Sequence, residues 1–286
     1  MILMKSGTFW YEDKDGVEIF VYRWLPDEKP KAIVQIAHGL GEHAARYTRV
    51  AEKFVKAGYA AYADDHRGHG KTGNKFGALG ELGPRGWNGT VEALSTLTDV
   101  IKEEQSGIPV FLLGHSWGSF LAQEYIQQWG NKLQGVLLTG TTGLPFPETD
   151  IGAEGLGLNF IIKNPKTPFD WLTRDPEEVQ KYIRDPLCGF SLPPSILQEL
   201  EESNSRLLDT KNDGKIPKDL KIYIFVGTDD SVGGEKGAKA LIERYQNAGI
   251  KDTTLKIYLD SRHELFNELN KDEVIRDVIL WLDSHL

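Results

Sequence analysis

Two kinds of apolar spacing alternate along the chain. Residues 17–24 (Val-Glu-Ile-Phe-Val-Tyr-Arg-Trp) read as a strand, with 8–11 as its hairpin partner and a turn around Asp15-Gly16. Short, nearly all-apolar runs follow at 32–37, 59–63, 110–113, 136–138, 222–226 and 255–259. A strand apolar on both faces is expected to be buried on both, as in a parallel sheet covered by helices. Between these runs the spacing turns helical. It is carried by Val50, Ala51, Phe54 and Val55, by Val91, Leu94, Leu97 and Ile101, by Ala238, Leu241 and Tyr245, and finally by Val274, Val278 and Leu282. Strands alternating with helices build right-handed βαβ units, so a hairpin and six buried strands predict an eight-stranded, mostly parallel sheet flanked by helices.

One stretch interrupts the alternation. Residues 143–217 carry no strand signal and are frequent in proline and glycine. A short apolar helix is expected over 151–162, weakened by Gly152, Gly155 and Gly157. Two more helices are expected over 176–183 and 194–200, each opening on a proline. The stretch reads as a helical insertion after the sixth strand, since so long an irregular loop is uncommon in a compact domain. The core is then split into 1–142 and 218–286.

The chemistry begins at Gly114-His115-Ser116-Trp117-Gly118, between the run 110–113 and a helix through Leu121, Tyr125 and Ile126. Strand, G-x-S-x-G and helix together describe a nucleophile elbow. The serine occupies a strained turn, the flanking glycines let strand and helix approach, and the N–H after the serine starts a helix aimed at a developing oxyanion. A serine needs a base. Of the seven histidines, His115 adjoins the serine with its side chain expected to point away, and His285 is terminal. His66 and His69 belong to the turn-rich Asp65-His66-Arg67-Gly68-His69-Gly70, where structural hydrogen bonds are expected. His263 directly follows the last strand, whose outgoing loop can swing it over the elbow; it is the candidate base.

The third member must orient the imidazole from another strand end. Asp229 and Asp230 follow the strand at 222–226, and only one of them can face the ring. Asp230 is the stronger candidate, with Asp229 as the alternative in a loop or capping role. A second oxyanion donor is expected in the turn His38-Gly39-Leu40-Gly41, so Leu40 and Trp117 are the two main-chain donors and His38 shapes the turn.

Composition narrows the field. Forty per cent hydrophobic and 26% charged residues are ordinary for a globular protein, and the net charge of −9 offers no footprint for a nucleic acid. The single cysteine, Cys188, cannot form an intramolecular disulfide and by itself makes a poor metal ligand set. The apolar start Met1-Ile2-Leu3-Met4 is too short for a signal-peptide core and no run reaches a membrane-spanning length, so a cytoplasmic protein is expected. No metal or organic cofactor is needed for the chemistry inferred.

These motifs resemble a known group: the bacterial monoacylglycerol lipases and lysophospholipases of the serine aminopeptidase S33, or hydrolase-4, branch of the α/β-hydrolases. The resemblance is carried by His38-Gly39-Leu40-Gly41-Glu42-His43 with Arg46-Tyr47, by Asp65 to Gly70, by the elbow, by Gly227-Thr228-Asp229-Asp230 and by Arg262-His263-Glu264. Asp185-Pro186-Leu187-Cys188 is similar to the cap of bacterial members. The order Ser116, Asp230, His263 is that of the family's triad. The resemblance implies an α/β-hydrolase fold with a helical cap, Asp230 as the triad acid, Leu40 as an oxyanion donor, and a cofactor-free acyl-enzyme mechanism on an ester or lipid substrate.

Reaction type is better fixed than substrate. Single-acyl-chain lipids such as monoacylglycerol and lysophospholipid are expected first, with small aryl or alkyl esters as the alternative. Peptidase or thioesterase activity and a non-catalytic binding role are further alternatives. Leu156, Leu158, Phe160, Ile161 and Ile162 either wall an acyl pocket or dock the cap, and apolar cap residues allow transient membrane contact. Asp150, Glu154, Glu177 and Glu178 could recognise an amine but read better as solvated surface.

Overall fold

The computed structural model describes residues 4–75, 77–145, 157–190 and 193–286. Its strands are β1 (Met4–Glu12), β2 (Glu18–Pro26), β3 (Ile33–Ala37), β4 (Ala60–Asp65), β5 (Val110–His115), β6 (Gly135–Thr139), β7 (Lys221–Gly227) and β8 (Asp252–Tyr258). They form one eight-stranded sheet in the order β1-β2-β4-β3-β5-β6-β7-β8. The β1–β2 hairpin joins β4 antiparallel, and every pair beyond it is parallel.

Burial along the strands follows the apolar runs, with one exception. Strands β3 to β6 are buried throughout, as runs apolar on both faces require. The run at 255–259 does not behave this way. β8 is an edge strand and mostly half-buried, and Leu259 lies beyond it with 76% exposure. An edge strand has one neighbouring strand, so its residues stay half-buried even though Leu255 and Ile257 pack on one helix-covered face and Tyr258 on the other.

The helices α1 (Thr48–Lys56), α2 (Gly70–Lys75), α3 (Gly86–Glu104), α4 (Trp117–Trp129), α5 (Pro176–Arg184), α6 (Pro194–Leu208), α7 (Gly234–Asn247) and α8 (Lys271–Ser284) complete the fold. One buried cluster joins α3, α4 and α7 to one sheet face, through Leu94, Leu121, Tyr125, Ile126 and Leu241. A second joins α1 and α8 to the other face, through Phe54, Val55, Val274 and Val278. Among the described residues no helix is long and apolar enough to cross a membrane.

Between β6 and β7 the described residues hold no strand. Asp175 caps α5 by accepting from the Glu177 N–H, with Pro176 in the first turn. Helix α6 runs to Leu208, well past the expected end at residue 200. Of the helix expected over 151–162, residues 151–156 lie outside the described residues, and the rest is one 3₁₀ turn, Leu158–Ile161. Gly157 is left-handed there, and the Asn159 amide bonds Trp171 and Thr167 main-chain groups, so the local polar bonds win over helix extension.

Sheet order fixes where a site can form. From β3 the chain steps outward to β4, then crosses back to place β5 on the other side of β3. Loops leaving β3 and β5 therefore diverge and open a crevice at the carboxyl ends of the strands, the usual ligand position in an open α/β sheet.

Candidate active site

Ser116 leaves β5 with φ 52° and ψ −124° and begins α4. This non-glycine positive φ costs roughly 1–3 kcal/mol and persists only because its surroundings over-determine it. The Ser116 N–H donates to the Thr139 carbonyl at 2.9 Å, and its own carbonyl accepts from Ser119 and Phe120. A Cβ on Gly118 would sit 2.2 Å from the Ala37 carbonyl oxygen, and one on Gly114 would sit 2.5 Å from that of Gly118. The two glycines of the motif are thus required by contact: α4 starts against β3 and β5 with no room for a methyl group.

His263 and Asp230 come together as the sequence predicts. His263 Nδ1 lies 2.8 Å from Asp230 Oδ1, which also accepts the Val232 N–H. Both side chains are essentially buried, whereas Asp229 is exposed and bonded to Thr228. A carboxylate can only accept, so the proton of the imidazole sits on Nδ1 and the Nε2 lone pair is left open. That Nε2 is buried and has no hydrogen-bond partner among the described residues.

The ring of His263 lies beside the elbow. Its centroid is 4.8 Å from that of His115, the residue before Ser116, and 4.8 Å from that of Trp171 in the insertion. A Cβ on Gly140, at φ 59°, would stand 2.7 Å from His263 Cε1. Gly140 therefore makes room for the His263 ring, a role that no motif signalled. His115 is drawn against His263, and burial followed by the neighbouring imidazole pushes its pKa down to about 4. It is neutral at pH 7 and does not compete as a charged group.

The turn after β3 is held from both sides. The His66 N–H donates to His38 Nε2 at 3.0 Å, so His38 Nδ1 carries the proton and donates to the Gly39 carbonyl at 2.8 Å. On the other side Glu42 accepts the Gly39 N–H at 2.6 Å and the Tyr47 hydroxyl at 2.9 Å. Neither the Leu40 N–H nor the Trp117 N–H has a hydrogen-bond partner among the described residues, and Trp117 opens α4, where such groups are unsatisfied by construction of the helix. The Trp117 ring stacks on His69, centroids 5.0 Å apart, and meets Trp87 edge-on. His66 and His69 are buried in this packing with bonds to Asp64 and the Arg67 carbonyl, the structural roles expected of them.

A bridge not anticipated from the motifs links the two loops. Arg46 bonds Glu42 and holds Glu264 with both nitrogens, at 2.6 and 2.7 Å. Glu42 fixes the turn after β3 and Glu264 follows His263, so one guanidinium ties both together. Burial by itself pushes the Glu264 carboxyl up, but the charge and hydrogen bonds of Arg46 outweigh it and hold the pKa at about 2. The residues were visible in the motifs; their meeting required the fold.

The insertion closes over this edge of the sheet. The Tyr182 hydroxyl and the Gly189 N–H both donate to the Gly41 carbonyl, at 2.8 and 2.9 Å. The Glu264 N–H donates to the Leu172 carbonyl at 2.7 Å. Leu158 is buried and Ile162 packs on the core, whereas Phe160 and Ile161 are 60% and 43% exposed and line an open cleft with Asp230 and Ser231. Leu156, Asp150 and Glu154 lie outside the described residues. Glu177 is exposed in the first turn of α5, and Glu178 pairs with Lys181 and Lys271.

The chain is similar to known proteins over nearly its whole length. Residues 28–270 match the model of a family described as serine aminopeptidase, S33. A monoacylglycerol lipase from Mycolicibacterium smegmatis is 32% identical over 278 residues, 95% of each chain. The human monoglyceride lipase is 29% identical, covering 94% of this chain and 88% of its own. Among solved structures, a thermostable carboxyl esterase from Bacillus coagulans in complex with glycerol superposes with a TM-score of 0.89 at 32% identity, over 99% of both chains.

Proposed function

This chain belongs to the serine aminopeptidase S33 family of α/β-hydrolases, and from that premise we propose that it hydrolyses single-acyl-chain glycerolipids, monoacylglycerol first, through an acyl-enzyme on Ser116. It is a carboxylic ester hydrolase. The observation that carries the mechanism is the buried His263–Asp230 pair beside a serine held at positive φ. Ser116 Oγ attacks the ester carbonyl while His263 Nε2 takes its proton, and Asp230 holds the imidazole in that tautomer. The carbonyl oxygen becomes an oxyanion that the Leu40 and Trp117 N–H groups receive. His263 protonates the departing alcohol, then takes a proton from the water that attacks the acyl-enzyme, and returns it to Ser116 Oγ as the acid leaves.

Residues 143–217 act as the cap over this centre. Phe160 and Ile161 serve as acyl wall, supported by their exposure to the cleft beside Asp230, and Leu158 and Ile162 serve to dock the cap. Monoacylglycerol is placed first because the relatives that match nearly the whole chain are named for it.

The test is a panel of 1-monoacylglycerols, lysophosphatidylcholines, triacylglycerols, p-nitrophenyl esters and matched acyl amides and thioesters. The reading requires the highest kcat/KM on a monoacylglycerol and no turnover of the amide. An optimum on short aryl esters, with no gain from a glyceryl group, would overturn the lipid assignment and leave a small-ester carboxylesterase. In the same panel Phe160→Ala shifts the preferred acyl length, whereas an unchanged profile returns Phe160 to a surface role.

A further inference from the structure

Cys188 looks isolated in the sequence, but the fold gives it partners from two places. His43 closes the turn after β3, and Asp185 and Cys188 lie just beyond α5 in the insertion. His43 Nε2 is 2.9 Å from Asp185 Oδ2. One donor atom each from His43, Asp185 and Cys188 lie within 4.8 Å of one another. We propose that these three side chains bind a zinc-class divalent cation that fastens the insertion to the turn after β3.

The donor set suits that ion. Zinc takes imidazole nitrogen, carboxylate oxygen and thiolate sulfur together, and two tetrahedral nitrogen or oxygen ligands stand about 3.3 Å apart. The His43–Asp185 spacing is already close to this. Three protein ligands leave a fourth position for water. His43 is 6% exposed; its Nε2 faces Asp185, and its Nδ1 is buried with no partner among the described residues. Asp185 is held in place by the Leu187 N–H on its other oxygen, at 2.9 Å. The nearby Arg46 charge, which would oppose a cation, is matched by Glu42 and Glu264.

Zinc takes cysteine as the thiolate, so coordination releases the Cys188 thiol proton to solvent. The consequence is mechanical. Gly41, next to Leu40, already accepts from Tyr182 and Gly189 of the insertion, and a cation at His43 adds a second fastening two residues on. The bound form therefore melts at higher temperature. This site stands independently of the substrate assignment.

Cobalt titration of the full chain under reducing conditions tests it. With one cysteine in the chain, a thiolate-to-cobalt charge-transfer band in the near ultraviolet can come from Cys188 alone. The expected result is one ion per chain, displaced by zinc and removed by chelator, with the band absent in Cys188→Ser. Affinity should fall at least tenfold in both Asp185→Asn and His43→Asn, and zinc should raise the melting temperature of the wild type and not of Cys188→Ser. No band with the wild type would overturn the proposal. So would a band that Asp185→Asn and His43→Asn leave at full affinity, which would mean binding by the thiol alone.

Discussion

Replacing Arg46 by methionine is the most informative perturbation of the scaffold. It keeps much of the side-chain volume and leaves Glu42 and Glu264 buried without their cation; the two carboxylate side chains are only 4% and 5% exposed. Breaking a buried pair from one side costs about 3–5 kcal/mol, because a desolvated charge is left uncompensated. The Glu264 pKa, which Arg46 itself depresses, expresses the same interaction on a pH scale. A folded value of about 2 against an ordinary 4.5 corresponds to about 3 kcal/mol of stabilisation. Because the folded value is the lower one, that stabilisation is fully present above pH 4.5 and is lost as pH falls toward 2. Urea unfolding at pH 7 and pH 3 should therefore show Arg46→Met less stable by about 3–5 kcal/mol at pH 7, with the gap narrowing by about 2 kcal/mol at pH 3. A gap below about 1 kcal/mol at pH 7, or one that does not change with pH, would refute the reasoning.

The two adjacent aspartates separate cleanly by activity. Asp230→Asn should cut kcat by about 10⁴-fold through loss of the imidazole tautomer, whereas exposed Asp229→Asn should stay within about twofold; steady-state ester hydrolysis on both variants decides it. Gly140→Ala forces a methyl group 2.7 Å from His263 Cε1 at a positive φ, and kcat should drop at least about tenfold with the fold retained by circular dichroism. Unchanged turnover there would mean that activity tolerates displacement of the His263 ring.

Much of this was legible in the sequence because its signals are local. The buried runs at 32–37 and 110–113 mark β3 and β5, and the elbow, the aspartate turn and His263 each follow a strand, so each must emerge at one sheet edge. What could not be read depends on contacts between distant segments. Glu42, Arg46 and Glu264 stand in quoted motifs, but ion pairing across 218 residues has no periodic signature. Gly140 is an ordinary glycine until His263 is placed against it. The run at 255–259 misled because an apolar stretch does not say whether a strand has one neighbour or two, and the helix expected through residue 162 lost to hydrogen bonds that Asn159 makes with residues 167 and 171.

The central claim is that Ser116 is the nucleophile, activated by His263. Labelling by a fluorophosphonate reads this directly, since the reagent forms a covalent adduct only with an activated serine. The account predicts one adduct per chain, located by mass spectrometry on the peptide containing Ser116 and absent from both Ser116→Ala and His263→Ala. An adduct on another serine, or undiminished labelling of His263→Ala, would contradict it.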